Sequence, residues 1–274
     1  MSSLPGALRT PFPCSRPLEG LGIGVTGGGG HLGRALCVGL AEQGAFVVAL
    51  GRNPESLRAT VEAAHAGGWA GDVVAVVGDV SRADDVARAL DRIEKETGAV
   101  HGWVNNAYGG PGGLFFDLDR ANVMASLASG VGDVMLVTQA VAERMKPQQG
   151  GSIVNVASMY GIVSPQPRTY RSHPQWHNPP AYGAAKAGVI QFTRYAAVHL
   201  GPHGIRVNSI SPGPFPRDEI RSDARFVAEL AARVPLGRVG DAGEIVGPAA
   251  FLLSAAASFV TGHDLVVDGG WTAW

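Results

Sequence analysis

The chain has 274 residues, of which 46% are hydrophobic and 16% charged, and its formal net charge is −1. Such a length and composition predict a soluble globular protein, large enough for a single α/β domain with a sizeable core. A net charge this close to zero gives no indication of a nucleic-acid or membrane partner.

The first twenty residues differ in composition from the rest. They contain four prolines, and we predict an extended arm over residues 1–20 ahead of one domain over residues 21–274. This start has no basic segment followed by an apolar core, and Cys14 and Cys37 have neither metal-ligand spacing nor a disulfide framework. A cytoplasmic protein is therefore expected. The longest apolar run, AAFLLSAAASFV, is too short to span a membrane and predicts a buried helix.

From residue 21 onward, strand and helix periodicities alternate. Strands are predicted at LGIGVTG, FVVAL, VVAVV, VHGWVNN, SIVNVAS, IRVNSIS and HDLVVDG. Helices are predicted over Leu32 to Gln43, Pro54 to Ala66 and Ala83 to Glu96, followed by a long helix ending near Met145, a helix carrying Tyr182, and two helices after Pro216. This alternation implies right-handed crossovers, and thus a parallel sheet with helices on both faces.

The first strand runs into a glycine-rich turn, TGGGGHLG, from Thr26 to Gly33. Glycines let backbone amides approach a pyrophosphate closely, and the helix that opens at Leu32 directs its positive end toward the phosphates. The alternative is a tight strand-to-helix turn with no ligand. The glycine-rich turn follows the first strand of an alternating strand–helix pattern, and this position favours a nucleotide site over a turn without a ligand.

A tyrosine and a lysine four residues apart predict acid–base chemistry. On a helix, Tyr182 and Lys186 lie on the same face. An ammonium about 4 Å from a phenol, at an effective dielectric of about 20, is worth ~4 kcal/mol, which lowers the phenol pKa by at most roughly three units because desolvation opposes it. Ser158, at the end of SIVNVAS, offers a hydroxyl to hold a substrate oxygen. The alternative for the pair is a solvated helix face.

Several short motifs occur in one order along the chain: Thr26-Gly27 with Gly33, GDV at 78–80, NNA at 105–107, Ser158, YGAAK at 182–186 and SPG at 211–213. Together, over residues 21–274, they resemble the short-chain dehydrogenase/reductase family. Within that family the chain resembles gluconate dehydrogenases or ketoreductases. The resemblance implies an α/β fold with a single-domain, Rossmann-type, doubly wound parallel sheet. It also implies a nicotinamide cofactor, hydride exchange between a carbinol and a carbonyl, and no metal.

The resemblance also assigns roles to individual residues. It makes Tyr182 the general acid–base, Lys186 its modulator and a ribose ligand, and Ser158 the group that orients substrate. Asp79 is the carboxylate expected at adenine, and Asn105 the residue beside the adenosine ribose. The full set expected at the cofactor is Thr26, Gly27, Gly28, His31, Leu32, Gly33, Arg52, Asp79, Val80, Asn105, Ala107, Tyr182, Lys186, Pro212, Gly213 and Phe215.

Three positions depart from the family pattern. His31 replaces a glycine, and we expect its side chain to be exposed on a loop. Tyr108 follows NNA where glycine is usual, and we expect its ring to pack in the structure rather than take part in the chemistry. Gly130 stands where the family carries a catalytic asparagine; it keeps a carbonyl but lacks the side-chain anchor. These departures leave open a cofactor-binding protein with little turnover. A lyase or dehalogenase on the same scaffold is disfavoured because the glycine turn persists.

The end of the second strand, ALGRN, bears on cofactor choice. Gly51 cannot accept a hydrogen bond from a ribose 2′-hydroxyl, whereas Arg52 can pair with a 2′-phosphate. NADP is therefore favoured, with NAD possible. In the alternative, Arg52 stacks on adenine or faces solvent.

An insert of about eleven residues lies between Ser158 and Tyr182, around RTYRSHPQWHN. Its Arg168 and Arg171 are expected to bind substrate, which favours a sugar acid, polyol or hydroxy acid; a subunit-interface loop is the alternative. The segment after Gly213 predicts a mobile lid. The apolar, aromatic end VVDGGWTAW predicts a homo-oligomer, a tetramer or dimer.

Overall fold

The computed structural model describes residues 16–274. Seven parallel strands form one sheet in the order β3-β2-β1-β4-β5-β6-β7, which confirms the predicted fold class. The strands are β1 Gly22–Thr26, β2 Phe46–Gly51, β3 Asp72–Val77, β4 Gly102–Asn105, β5 Gly151–Val156, β6 Ile205–Pro212 and β7 Asp264–Val267. Because β1 pairs with both β2 and β4, strand order reverses beside β1, and a crevice opens there at the carboxyl ends.

The helices of this part of the chain follow the predicted alternation. They are α1 His31–Glu42, α2 Pro54–Ala66, α3 Ala83–Thr97, α4 Arg120–Leu127, α5 Asp133–Met145, α6 Pro180–Leu200, α7 Asp218–Arg221, α8 Ala224–Ala231 and α9 Val246–Leu253. Local chemistry fixes several ends: the Asn53 side chain accepts from the amides of Glu55 and Ser56 at the start of α2, and Gly98, with φ +77°, ends α3.

The two largest apolar clusters of the described residues lie on opposite faces of the sheet and form most of the core. The first joins α1, α2 and α9 to the sheet through residues such as Leu40, Leu57 and Leu252. The second joins α3, α5 and α6 through residues such as Leu90 and Val141. Both faces of β1 are therefore covered, which explains why all five of its residues are buried.

The structure differs from the prediction in three places. The long helix ending at Met145 contains a π-helical turn, Ala128–Gly132, that separates α4 from α5. The first helix after Pro216 is split into α7 and α8. Most of the predicted arm lies outside the described residues; residues 16–20 form a turn, and Leu18 is fully buried against the first cluster.

One finding corrects the expectation that no apolar run reaches membrane-spanning length. The helical stretch from Arg120 to Gln148, 29 residues, is long and apolar enough to cross a membrane by length and composition alone. However, Val137, Val141 and Met145 of this stretch are buried in the second cluster. Core helices of globular domains pass the same test, so the finding is weak evidence for a membrane segment.

Candidate active site

The glycine-rich turn is shaped by close backbone approach. Gly27 adopts φ +66°, and a Cβ at Gly33 would lie 2.0 Å from the Gly27 carbonyl oxygen, so neither position tolerates a side chain without movement. Gly30 caps α1 without a side-chain hydrogen bond, which leaves the first amides of the helix open to an anion. Gly28 instead faces the sheet, where an added Cβ would lie 2.7 Å from that of Ala49.

Thr26 connects this turn to the end of β4. Its Oγ1 accepts from the amides of Asn106 and Ala107 at 2.8 and 3.0 Å. The predicted Asn105 does not face the crevice; it lies in a buried network, where it donates to Thr138 and Asn155 and accepts from Trp103. Asn106 lines the crevice, so we correct the assignment from Asn105 to its neighbour.

A cavity of about 640 Å³ occupies the crevice. The expected cofactor residues in its wall are Gly27, His31, Leu32, Gly33, Arg52, Asp79, Val80 and Ala107; sequence reasoning missed Gly29, Gly30, Asn53, Ser56, Asn106, Tyr108, Ser129 and Asp133. Eight residues of the expected set are not part of this wall within the described residues: Thr26, Gly28, Asn105, Tyr182, Lys186, Pro212, Gly213 and Phe215. Open helix amides, positive-φ glycine and size together fit the phosphate end of a dinucleotide.

The nucleotide end of the cavity carries one exposed cation. The Arg52 side chain is 72% exposed, and its Nη1 lies 3.9 Å from Asp79 Oδ2. Hydrogen bonds from the amide and hydroxyl of Ser81 lower the pKa of Asp79 below its ordinary value. At Gly51 the nearest atom to an added Cβ would be Leu57 Cδ2 at 3.4 Å, so packing does not require glycine there.

Two predicted residues lie beyond the end of β6. The Gly213 amide donates to Val267 at 2.9 Å, which fixes the turn after Pro212 on β7. A Cβ at Gly240 would lie 2.6 Å from the Phe215 ring, so that ring packs on Gly240 rather than entering the crevice.

Ser158, Tyr182 and Lys186 lie together at the carboxyl edge of β5. The Ser158 Oγ accepts from the Tyr160 amide at 3.1 Å, which leaves its own proton free for another acceptor. Burial raises the pKa of Tyr182, and the Ser158 hydroxyl opposes that rise. The Lys186 Nζ donates to the Val156 carbonyl at 2.7 Å and lies 5.8 Å from the Tyr182 ring centroid.

The electrostatics of this group differ from the sequence-based expectation. We expected the lysine ammonium to lower the pKa of Tyr182, but burial dominates and raises it. Burial also lowers the pKa of Lys186 from 10.5 to about 8. The reason is geometric: the ammonium is enclosed and hydrogen-bonded to a backbone carbonyl, and desolvation penalises both charged forms. The group thus presents two neutral hydroxyls and a buried ammonium.

The three departures from the family pattern occupy defined places. Gly130 is buried in the π-helical turn beside Ala185 and Tyr108. Tyr108 packs edge-on against Tyr182, as its predicted packing role requires. His31 is not the exposed loop side chain that we expected: it is the first residue of α1 and is partly buried. Its Nε2 is buried without a partner among the described residues, and burial lowers its pKa. An orphaned ring nitrogen in the crevice wall is consistent with a ligand there.

The insert packs through its aromatic residues on the segment after β6. Tyr170 hydrogen-bonds through its hydroxyl to Tyr160, two residues beyond Ser158. His173 Nε2 lies 2.9 Å from Asp223, the residue that caps α8, and Trp176 packs on Phe226 of α8 with centroids 4.7 Å apart. The insert therefore contacts both the segment that follows Ser158 and the segment predicted to form a lid.

The two arginines of the insert lie elsewhere. Arg168 and Arg171 line a separate cavity of about 1000 Å³, together with Arg225, Arg233, Trp271 and Trp274. Ser158 and Tyr182 are not among the residues of its wall in this part of the chain. The expected direct approach of these arginines to the reacting centre is not what the structure shows.

Comparison with known proteins agrees with this geometry. Residues 29–272 match the family model described as enoyl-(acyl carrier protein) reductase. L-rhamnose 1-dehydrogenase (NAD(P)(+)) of Azotobacter vinelandii is 33% identical, over 90% of this chain and 94% of its own.

Two solved structures are similar throughout. A short-chain type dehydrogenase/reductase from Mycobacterium marinum is 32% identical, with TM-score 0.81, over 94% of this chain and 97% of its own. A gluconate 5-dehydrogenase from Burkholderia cenocepacia, in complex with NADP and tartrate, is 31% identical, with TM-score 0.80, over 94% of this chain and 97% of its own. The chain therefore belongs to the short-chain dehydrogenase/reductase family and is an NAD(P)-dependent oxidoreductase.

Proposed function

We propose that the protein interconverts a carbonyl and a secondary alcohol of a polar substrate such as a sugar acid, polyol or hydroxy acid. The observation that carries this proposal is the meeting of Ser158, Tyr182 and Lys186 beside the crevice at the carboxyl edge of the sheet. A small-molecule substrate and a nucleotide are the partners that this site requires. A cytoplasmic location is part of the same proposal.

The residues of this site divide the work. A bound nicotinamide supplies or accepts the hydride. Because burial raises its pKa, the Tyr182 hydroxyl is protonated at neutral pH and can give its proton to a carbonyl oxygen that is gaining charge. Ser158, whose proton is not engaged by Tyr160, donates to the same oxygen and orients it. Lys186 is an ammonium at neutral pH and compensates the negative charge left on Tyr182.

The relatives support the substrate class. L-rhamnose 1-dehydrogenase acts on a sugar, and the structure with NADP and tartrate is a gluconate 5-dehydrogenase. A panel of sugars, sugar acids, polyols, hydroxy acids and apolar ketones, followed by absorbance of the reduced nicotinamide, tests the proposal. We expect turnover concentrated in the polyhydroxy compounds; turnover of apolar ketones alone would contradict the substrate class.

A cofactor-binding protein with little turnover is the second candidate, and Gly130 favours it. The family asparagine is absent there, and a Cβ at Gly130 would lie 2.6 Å from that of Ala185, so the site has no room for that side chain. The same panel separates the two candidates, because cofactor binding without turnover of any compound would favour the second.

We propose that NADP is the preferred cofactor, because Arg52 can pair with its 2′-phosphate. We expect Arg52→Ala to raise KM for NADP by about tenfold while leaving KM for NAD nearly unchanged, because a charge-assisted hydrogen bond to the 2′-phosphate is lost. Arg58→Ala on α2, also exposed, is the matched control. Gly51→Asp, which the space at that position accepts, should shift preference toward NAD. Equal losses for both cofactors in Arg52→Ala would refute the NADP proposal.

The arginines of the insert are proposed to attract an anionic substrate toward the site. Arg168→Ala with Arg171→Ala should raise KM for a sugar acid by about three- to tenfold with little change in kcat, and the effect should shrink as salt rises because these side chains are exposed. A neutral ketone is the control substrate. Unchanged KM with altered assembly or melting temperature would instead support the interface-loop alternative.

We also propose a homo-oligomer that pairs the long helices. Met135 and Leu136 of α5 and Tyr195 and Val198 of α6 are exposed apolar side chains on adjacent helices. Met135, Leu136 and Tyr195 line one groove, and contiguous exposed apolar side chains are typical of a protein–protein contact. Sedimentation at micromolar concentration should give a dimer or tetramer.

A further inference from the structure

The ring of Tyr108 contacts the reacting residues directly. It meets the Tyr182 ring edge to face, with centroids 5.0 Å apart and planes at 78°. The Lys186 Nζ lies 5.6 Å from the centroid of the Tyr108 ring and 5.8 Å from that of Tyr182. One buried ammonium is thus within cation–π distance of two aromatic rings.

Gly130 provides the space that this ring needs. An added Cβ at Gly130 would lie 3.2 Å from Cε2 of Tyr108 and 2.6 Å from Cβ of Ala185 on α6. A side chain at this position would have to displace the ring or push α6. Tyr108 and Gly130, two positions at which the chain departs from its family, are therefore in contact. The missing side chain at Gly130 leaves the space that the Tyr108 ring occupies.

The ring, rather than the hydroxyl, makes these contacts. The Tyr108 hydroxyl is buried on the side of Ser126, whose hydroxyl opposes the rise that burial causes in the pKa of Tyr108. Aromatic edge-to-face contact restricts the orientation of Tyr182, and the face of a ring favours a nearby ammonium over a neutral amine. The groups facing the Lys186 ammonium are the Val156 carbonyl and the two tyrosine rings, with burial as the opposing influence.

We propose that Tyr108 is a positioning residue whose ring fixes Tyr182 and holds Lys186 in its ammonium form, and that Gly130 is its size-matched partner. The proposal rests on the proposed function, since it concerns the same acid–base group. It explains how a chain without a side chain at Gly130 can still order its reacting residues: an aromatic wedge occupies the place where the family has a hydrogen-bonding side chain.

The first test needs neither cofactor nor substrate. The chain has only three lysines, Lys95, Lys146 and Lys186, so NMR of protein labelled at the lysine ε-carbon can follow each titration, with Lys186→Met assigning the signal. We expect the Lys186 midpoint to fall by about half a unit or more in Tyr108→Leu, which keeps apolar bulk but lacks a ring face. Tyr108→Phe should leave the midpoint unchanged. A wild-type midpoint in Tyr108→Leu would overturn the proposal.

The second test examines the size match by a double-mutant cycle. Gly130→Asn and Tyr108→Gly should each lower kcat about tenfold with little change in KM, and the double variant should recover the part of the Gly130→Asn loss that comes from displacing the ring, while the contact with Ala185 remains. Melting curves and nucleotide binding monitor folding. Losses that simply multiply in the double variant would overturn the size match.

The two tests also separate this proposal from the function on which it rests. A wild-type protein that turns over no compound of the panel would refute the proposed function, whereas the lysine titration would still decide whether the ring acts on Lys186. If Gly130→Asn does not fold, the Tyr108→Leu and Tyr108→Phe titrations alone decide the outcome.

Discussion

Replacing Tyr182 by Phe should lower kcat by about 10²- to 10⁴-fold while leaving nucleotide binding nearly intact, because the change removes only the oxygen that transfers the proton. The ring remains in place against Tyr108, so the packing of α6 is retained. Turnover measured by nicotinamide absorbance, with nucleotide affinity measured by fluorescence, separates loss of chemistry from loss of binding. Substantial residual kcat would show that Tyr182 is not the acid.

Tyr195→Phe is the matched control for this change. Tyr195 lies on the same helix but on the exposed face proposed to pair subunits, away from the site. Phe keeps the ring that such a contact uses, so the same atom is removed and turnover should be unchanged. The raised pKa of Tyr182 also predicts opposite pH profiles for the two directions. Carbonyl reduction, which needs the protonated hydroxyl, should persist through neutral pH; alcohol oxidation, which needs the phenolate, should increase toward alkaline pH.

The fold could be predicted because the spacing of apolar residues differs between helices and strands and identifies each element along the sequence. The α2 boundaries agree with the prediction from Pro54 to Ala66, since Asn53 caps that helix and Pro54 opens it. The sequence also predicted that Ser158, Tyr182 and Lys186 lie close together. Tyr182 and Lys186 are four residues apart on α6, and Ser158 follows β5, so all three lie at one edge of the sheet.

The choice between Asn105 and Asn106 was predictable in principle. Residues two apart on a strand share a face, and Trp103 is fully buried, so Asn105 had to lie on the same enclosed side. Alternation therefore directs Asn106 to the crevice. The family resemblance named the motif correctly but did not by itself say which amide faces the nucleotide.

Tertiary contacts could not be read from local sequence. Tyr108 and Gly130 are separated by a loop and a helix, and only the packed structure shows that the space at one is filled by the other. The same is true of Lys186, whose pKa depends on how completely the folded chain encloses it. Arg168 and Arg171 lie on an insert whose only regular elements among the described residues are short 3-10 helices, so no sequence periodicity predicts the direction of their side chains.

Lys186→Met should abolish most turnover and at the same time raise thermal stability at neutral pH. Burial lowers the pKa of Lys186 from 10.5 to about 8, so at neutral pH the folded state holds a charge that it disfavours by a few kcal/mol, roughly 3 at most. The hydrogen bond to the Val156 carbonyl, worth about 1 kcal/mol, is lost in the variant. A net gain of about 2 kcal/mol should raise Tm by several degrees.

This gain should depend on pH in a defined direction. Between about pH 8 and 10.5 the unfolded chain holds a proton on Lys186 that the folded chain releases, so the wild-type protein gains stability from this group as pH rises through that range. Methionine does not titrate, so the Tm advantage of the variant should be largest below pH 8 and should disappear before pH 10.5, where only the lost hydrogen bond, worth about 1 kcal/mol against the variant, remains. Lys95→Met, an exposed lysine on α3, should show no such trend. A stability difference that stays constant across this range would mean that the buried ammonium carries no desolvation cost, and the compensating role proposed for its charge would lose its physical basis.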